Sequence, residues 1–254
     1  MGRSVQDGMW FARLVTRSHP ALILTAHGSA DPRSATVAHA LAGRIRRLRP
    51  WLDVRTAFLE HSEPNLAEVL SDVVSDRAVV VPMLLTSAYH ARVDIPAVVD
   101  ASGAAVEQSD VLGEDPALIT VLGQRLAEAG VSPGHRDLGV IVAAVGSSSE
   151  VANTRTATVA PALCAGTRWA GVEVAFATGP QPSLAVAARR LRRRGARRLV
   201  VAPWFLASGR ITDRLAESAA ALGIPMAAPL GSHNLVAAAL LDRYDEQQSG
   251  RLAA

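Results

Sequence analysis

The stretch ALILTAHGSAD, residues 21–31, decides how the chain is organised. An apolar run with no polar alternation enters His27-Gly28-Ser29, and Asp31-Pro32 then opens a helical pattern. A continuous apolar run bounded in this way is a strand buried on both faces, as in a parallel sheet whose helices cover each side. Ligands of open α/β sheets bind beyond the carboxyl ends of the strands. His27 stands there, and an imidazole can switch charge, carry a proton or hold a metal.

Outward from this strand the first half alternates regularly. Residues 34–49 are expected to be a helix with Val37, Leu41, Ile45 and Leu48 along one side. Residues 54–59 form a second strand and 64–74 a second helix with Pro64 in its first turn. Residues 78–84 are a third strand, 95–102 a third helix, 105–111 a fourth strand and 116–129 a closing helix.

The same pattern then returns. Gly28 and Gly146, Phe58 and Phe176, Pro64 and Pro182, and Leu66 and Leu184 are all 118 residues apart. Leu112-Gly113 and Arg125 recur at that offset as Leu230-Gly231 and Arg243, while Pro82 and Leu85 recur 121 residues on as Pro203 and Leu206. A constant offset among glycines and prolines is the signature of a duplicated unit. The second unit has expected strands over 139–144, 172–177, 198–205 and 225–228. The fold class is therefore α/β, with two tandem flavodoxin-like domains facing each other across a cleft. We divide the chain into a leader over residues 1–19, an N-terminal domain over 20–133 and a C-terminal domain over 134–254.

Composition narrows the function. With 49% hydrophobic and 19% charged residues the chain is globular. All 26 basic residues are Arg, which raises the isoelectric point although the net charge is only +3. The arginine-rich run at 189–198 has no interleaved aromatics and is expected to be a solvated helix end rather than a nucleic-acid surface. Cys164 is the only cysteine, which excludes an internal disulfide and a cysteine metal cluster. No apolar run reaches the roughly 20 residues of a membrane span, and residues 10–15 are too short for a signal-peptide core. A cytoplasmic monomer with no membrane or nucleic-acid partner is the expectation.

Three polar residues follow the first three strands: His27, Glu60 and His90. Two imidazoles and a carboxylate make an open site for a borderline divalent ion and can also accept protons. At the repeat offsets they become Val145, Thr178 and Ile211. The scaffold recurs while all three polar groups vanish together, which argues for chemistry confined to the first half. Among the other histidines, His39 lies off its helix's apolar side, His61 alternates away from Glu60, and His19, His135 and His233 fall in the leader, linker and a loop.

The segments HGSADPR (27–33), AFLEHSEPNL (57–66) and VVVPMLLTSAYHARVDIP (79–96), in this order, resemble the CbiX and SirB family of sirohydrochlorin chelatases, related to class II chelatases. The resemblance covers the first half strongly and the second as a degenerate partner domain. It implies that His27, Glu60 and His90 hold the metal and carry the chemistry. One departure stands out: Ala88-Tyr89-His90 lacks the glycine that the family usually has before the histidine and that the second half keeps as Gly209.

The resemblance also implies a substrate, a sirohydrochlorin-type tetrapyrrole with eight carboxylates, and a divalent metal, Fe²⁺ or Co²⁺, as the second substrate with no prosthetic group. Arg33, Arg92 and Arg210 are the expected carboxylate donors, since a guanidinium pairs a carboxylate in a fork. Ser29 and Ser87 are candidates for substrate contact or helix capping. Iron insertion to give sirohaem is favoured over cobalt insertion for cobalamin, because the chain ends in QQSGRLAA without a histidine-rich tract. A non-catalytic metal or tetrapyrrole carrier would use the same residues. A hydrolase is disfavoured, because Gly146-Ser147-Ser148-Ser149-Glu150 fails the G-x-S-x-G pattern at its last position. A phosphohistidine mutase is disfavoured by Ala26, where an arginine would precede the histidine.

Overall fold

In the computed structural model, which describes residues 19–73, 77–87 and 89–252, strand β1 (Ala21–Ala26) lies between β2 (Val54–Phe58) and β3 (Ala78–Pro82). A short β4 (Val106–Gln108) completes a parallel sheet of order β2-β1-β3-β4. The second half repeats the core of this sheet with β5 (Leu138–Ala144), β6 (Gly171–Phe176) and β7 (Arg198–Pro203), ordered β6-β5-β7. The strand expected over residues 225–228 is reduced to a single bridge between Met226 and Val201.

Successive residues of each central strand point to opposite sides, so both faces need cover. Leu22 and Leu24 join a core that spans both halves, whereas Ile23 joins an outer core with Leu66, Val69, Leu70 and Ile95. In the second half Val140 and Val142 face the shared core, and Ile141 and Ala143 face another outer core. The helices sort accordingly. Helices α2 (Leu66–Ser71) and α3 (Ile95–Ser102) cover one outer face. Between the sheets lie α1 (Pro32–Leu48), α4 (Pro116–Glu128), α6 (Val159–Cys164) and α9 (Asn234–Leu252). Helices α7 (Leu184–Arg193) and α8 (Arg210–Ala221) close the other outer face. The remaining helix, α5 (Glu150–Ala157), precedes α6 where the first half has the single long α1.

The closing helices are exchanged between halves. Helix α9 packs on α1, α4 and β3, and α4 packs on α6, α9 and β7. Arg125 of α4 donates to the Leu230 carbonyl at 2.9 Å, and its repeat counterpart Arg243 of α9 donates to the Leu112 carbonyl at 3.3 Å. Leu112 and Leu230 are themselves counterparts, so the recurrence of Leu-Gly and Arg at offset 118 records one reciprocal clasp. Arg243 also bonds Asp115 at 3.0 Å, and the buried Tyr244 hydroxyl donates to the Pro20 carbonyl at 2.6 Å. Burial pushes the Tyr244 phenol up to about 12.

Local details depart from the sequence reading for identifiable reasons. Pro64 is not in the first turn of α2. It follows a cis peptide bond, and Asn65 caps the helix in a reciprocal box with Glu68. Val74, the expected end of that helix, lies outside the described residues, as do residues 1–18 of the leader and Ala88. Strand β3 ends at Pro82 rather than at residue 84. The arginine run is the end of α7 and the start of β7, with Arg190 and Arg194 paired to Glu173 and Arg198 to Asp137. No helix of the described residues is long and apolar enough to cross a membrane.

The start of α9 carries a pH-sensitive contact. His233 Nδ1 accepts the Leu235 N–H at 3.1 Å, which requires a neutral ring. Burial, together with the nearby Arg125 and Arg44 guanidinium groups, lowers the His233 pKa from its ordinary 6.5. The unfolded chain therefore binds the proton more readily, and stability present above pH 6.5 is lost as the pH falls through that value toward the folded pKa. Thermal melts from pH 7.5 to 5 are expected to show a smaller loss in His233→Asn, which keeps a capping acceptor without a titrating ring. Equal slopes in the two proteins would remove His233 from this role.

Candidate metal and tetrapyrrole site

His27 follows β1 and His90 follows β3, the neighbouring strands from which the chain runs in opposite directions across the sheet. Such a switch point opens a crevice at the strand ends. The two rings meet there, with centroids 4.1 Å apart and planes inclined by 37°. His27 Nδ1 is buried with no hydrogen-bond partner among the described residues. His90 does not sit directly at the strand end, since residues 83–89 intervene after β3. It begins a π-helical turn, His90–Asp94, that runs into α3. That turn brings Asp94 to 2.6 Å from His90 Nδ1. With Nδ1 engaged by the carboxylate, the ring is oriented and Nε2 is left for other work.

Glu60 reaches this site by its backbone rather than its carboxylate. Its N–H donates to the His27 carbonyl at 2.9 Å. Its carboxylate, more than half exposed, lies 3.3 Å from His61 Nε2. Among the described residues no three His, Cys, Asp or Glu side chains are grouped to hold a metal, so the structure brings His27 and His90 together without the Glu60 carboxylate. The backbone bond has a twin: the Thr178 N–H donates to the Val145 carbonyl at 2.9 Å. Scaffold contacts thus recur in both halves, and the side chains they position differ.

The histidines line a cleft of about 740 Å³ between the halves, a volume suited to a cofactor-sized molecule. Its first-half wall includes Met83, Tyr89, His90, Arg92 and Val93; its second-half wall includes Val145, Trp204, Phe205 and Ile211. The counterparts of His27 and His90, Val145 and Ile211, therefore face the histidines as apolar surface. Tyr89, Val93 and Val145 are also exposed, giving the cleft apolar rims. A chamber of about 490 Å³ shares His27, Val145 and Ile211 with it and adds Ser29, His61 and Arg210. A larger cavity of about 960 Å³ lies wholly within the second half and is lined by no histidine. The cleft is the better candidate because it joins both halves around the two histidines.

The expected substrate-binding residues divide. Arg92 lines the cleft, and its Nε donates to Ser87 Oγ at 3.3 Å, leaving its terminal nitrogens available. Arg210 lines the side chamber. Arg33 is committed elsewhere, with its guanidinium 2.6 Å from Asp31 and 2.5 Å from Asp213 of α8, so it ties the halves together. Hydrogen bonds from Arg33 hold the Asp31 carboxyl down at about 2. Ser29 is occupied in the loop: its Oγ accepts the Asp31 N–H at 3.0 Å, and Asp31 is the residue that caps α1. His39 is exposed as expected, although Nδ1 lies 3.0 Å from the Thr56 hydroxyl.

Asp94 and Trp204 were missed by the sequence reading. Asp94 has a signal in retrospect, since His90 and Asp94 are four residues apart and share a helical face. Trp204 has none in its own half, because it becomes part of the site only when the second half closes the cleft.

Known proteins share this fold and align with much of this sequence. A sirohydrochlorin cobaltochelatase of Priestia megaterium is 27% identical over 213 residues, covering 78% of this chain and 67% of that protein. A sirohydrochlorin ferrochelatase of the same organism is 26% identical over 208 residues, covering 78% and 77% respectively. The structure of SirB from Bacillus subtilis with Fe³⁺ superposes with a TM-score of 0.79 at 21% identity, over 89% of this chain and 94% of that one. The CbiX family model matches twice, at residues 21–129 and 139–247, the two copies whose strands and exchanged arginines are described above. Since these two matches together span most of the chain, it belongs to the CbiX family.

Proposed function

We propose that the chain is a sirohydrochlorin chelatase, inserting a divalent metal into the tetrapyrrole bound in the cleft. The observation that carries this reading is the His27–His90 pair, 4.1 Å apart on the cleft wall, with one buried imidazole nitrogen lacking a partner. The names of the curated relatives support the substrate class. Imidazole is a borderline ligand that suits Fe²⁺ and Co²⁺ alike and leaves coordination positions open to incoming pyrrole nitrogens.

Insertion exchanges one M²⁺ for two pyrrole N–H protons, so the site must receive the ion and accept protons. Neutral His27 and His90 can do both in succession: they are first ligands, then bases once the ion has left. Asp94 positions His90 through its contact with Nδ1. Glu60 serves as an exposed proton acceptor beside the His27 loop rather than as a resting ligand, because its carboxylate is turned to His61. Arg92 and Arg210 are the carboxylate donors of this proposal, and Arg33 drops from that role into the salt bridge between halves.

The test is an anaerobic visible-absorbance assay with sirohydrochlorin and Fe²⁺ or Co²⁺, run against a no-enzyme control. Enzyme-dependent conversion is expected, and the relative rates assign the metal. Tight stoichiometric binding without acceleration for either ion would make the protein a carrier. No binding of the pigment would overturn the proposed substrate.

A further inference from the structure

The π-helical turn that carries His90 is held from outside its own helix. In that register the N–H of residue i+5 bonds the carbonyl of residue i, and the Ile95 N–H donates to the His90 carbonyl in this way. The next bond of the register would run from residue 96 to the Ala91 carbonyl, but Pro96 has no N–H to give. Ala91 is buried, so its carbonyl needs another donor. Gln108 supplies it: the side-chain Nε2 donates to the Ala91 carbonyl at 2.8 Å.

Gln108 can reach the turn because it ends β4. Its register partner is Val80 of β3, which belongs to the outer core with Ile95, so Gln108 faces the same side as α3. The Ser109 N–H, donating to the Val80 carbonyl at 2.9 Å, fixes the backbone there. The amide is kept at a cost, since its Oε1 is buried without a partner among the described residues. An apolar side chain would avoid that cost, and the second half has one.

Met226 lies 118 residues after Gln108 and bridges Val201, which lies 121 residues after Val80. The pairing of β3 with β4 thus recurs with methionine in place of glutamine. At offset 121 His90 becomes Ile211 and Pro96 becomes Glu217, both within the α-helix α8. The π turn, the proline, the amide and the histidine occur together in one half and are replaced together in the other. The shared scaffold does not call for the amide; the turn that bears His90 does.

We propose that Gln108 is a positioning residue for metal capture: its side-chain N–H keeps the His90–Asp94 turn in the π register and thereby sets His90 against His27. Without that donor the Ala91 carbonyl takes the Ile95 N–H in the ordinary α register, and the turn that carries both His90 and Asp94 rewinds by one residue. The assignment rests on the chelatase reading above and deepens it. Gln108 is not among the residues lining the cleft, so it acts on the ion only through His90.

The test is anaerobic titration of Co²⁺ alone, followed by its visible absorbance, into wild type and Gln108→Met, with His90→Ala as the blank for binding elsewhere. Thermal melts and insertion kinetics of wild type and Gln108→Met accompany it. Loss of a group that orients a metal ligand costs about 10–100-fold in affinity or activity. The Co²⁺ Kd should therefore rise and kcat fall by about that factor, with the KM for sirohydrochlorin unchanged. The melting temperature should hold, since the Ala91 carbonyl finds the Ile95 N–H and the orphan oxygen leaves with the amide. An unchanged Co²⁺ Kd overturns the proposal, whatever the melting temperature does. If Gln108→Met does not fold, Gln108→Glu, which keeps the side-chain length and replaces the donor by an acceptor, decides the matter by the same Kd comparison. Wild type that inserts neither ion overturns the chelatase reading and this assignment with it. Wild type that inserts metal with a rate and a Co²⁺ affinity that the substitution leaves untouched overturns this assignment alone.

Discussion

His27→Ala and His90→Ala are each expected to abolish enzyme-dependent metal insertion while leaving the protein folded. The two rings form a single device, with centroids 4.1 Å apart, so either truncation leaves a lone imidazole that can neither share the incoming ion nor relay a second proton. Loss of a positioned acid–base group alone costs about 10²–10⁴-fold in rate, and loss of a ligand adds to it. Stability should change by no more than about 1 kcal/mol, because neither side chain belongs to the apolar cores and His27 Nδ1 is already without a partner. Asp94→Asn separates orientation from ligation: it keeps the ring and weakens its hold on Nδ1, and the expected loss is about 10–100-fold. The measurement is the anaerobic conversion assay after subtraction of spontaneous insertion. Turnover retained in both alanine variants would remove the histidine pair from the chemistry.

The sequence disclosed the strands because each is a continuous apolar run between glycines, prolines and caps, and it disclosed the duplication because glycine and proline positions tolerate little drift. Thus Gly28 and Gly146 both adopt positive φ, at 91° and 94°, at the same turn of each half. Repeat arithmetic also isolated His27 and His90 as residues whose counterparts lost their polarity, and the fold sets those two side by side. What remained hidden was set by tertiary packing. The exchange of α4 and α9 gives no local signal, since an apolar helix face does not record which sheet covers it. Arg33 looked like a free donor because its partner Asp213 lies 180 residues away. Glu60 was placed at a strand end correctly, but its side chain follows the local backbone, and the adjoining His61 has φ of 59°. The π-helical start of α3, which joins His90 to Asp94, is a backbone irregularity that residue periodicity does not encode.

Gly28→Ala is expected to damage both stability and insertion, and its counterpart Gly146→Ala to damage stability with the histidine pair preserved. At φ 91° Gly28 occupies a conformation that costs an L-residue about 1–2 kcal/mol. The added methyl would also stand 1.7 Å from the Glu60 carbonyl oxygen and 2.9 Å from its carbon. Those atoms are backbone, so no side-chain rotation relieves the clash, and the loops after β1 and β2 must separate. Separation breaks the Glu60 N–H bond to the His27 carbonyl and the pair of contacts between Ser29 and Ser62, at 3.2 and 3.1 Å. Strain plus lost hydrogen bonds amounts to about 2–4 kcal/mol, or a fall of roughly 5–15 °C in melting temperature for a chain of this size. Because His27 is the residue before Gly28, the same displacement pulls its ring from His90, and insertion falls even at temperatures where the variant is folded. At Gly146 the nearest obstacle is the Thr178 carbonyl oxygen at 2.5 Å, and the loop that moves carries Val145 instead of a histidine. Melting curves and conversion rates for the two variants therefore should diverge: both melt earlier, and only Gly28→Ala loses its chemistry below the transition. Equal loss of turnover in the two would mean that the glycine turns serve the fold as a whole and do not locally set the His27–His90 pair.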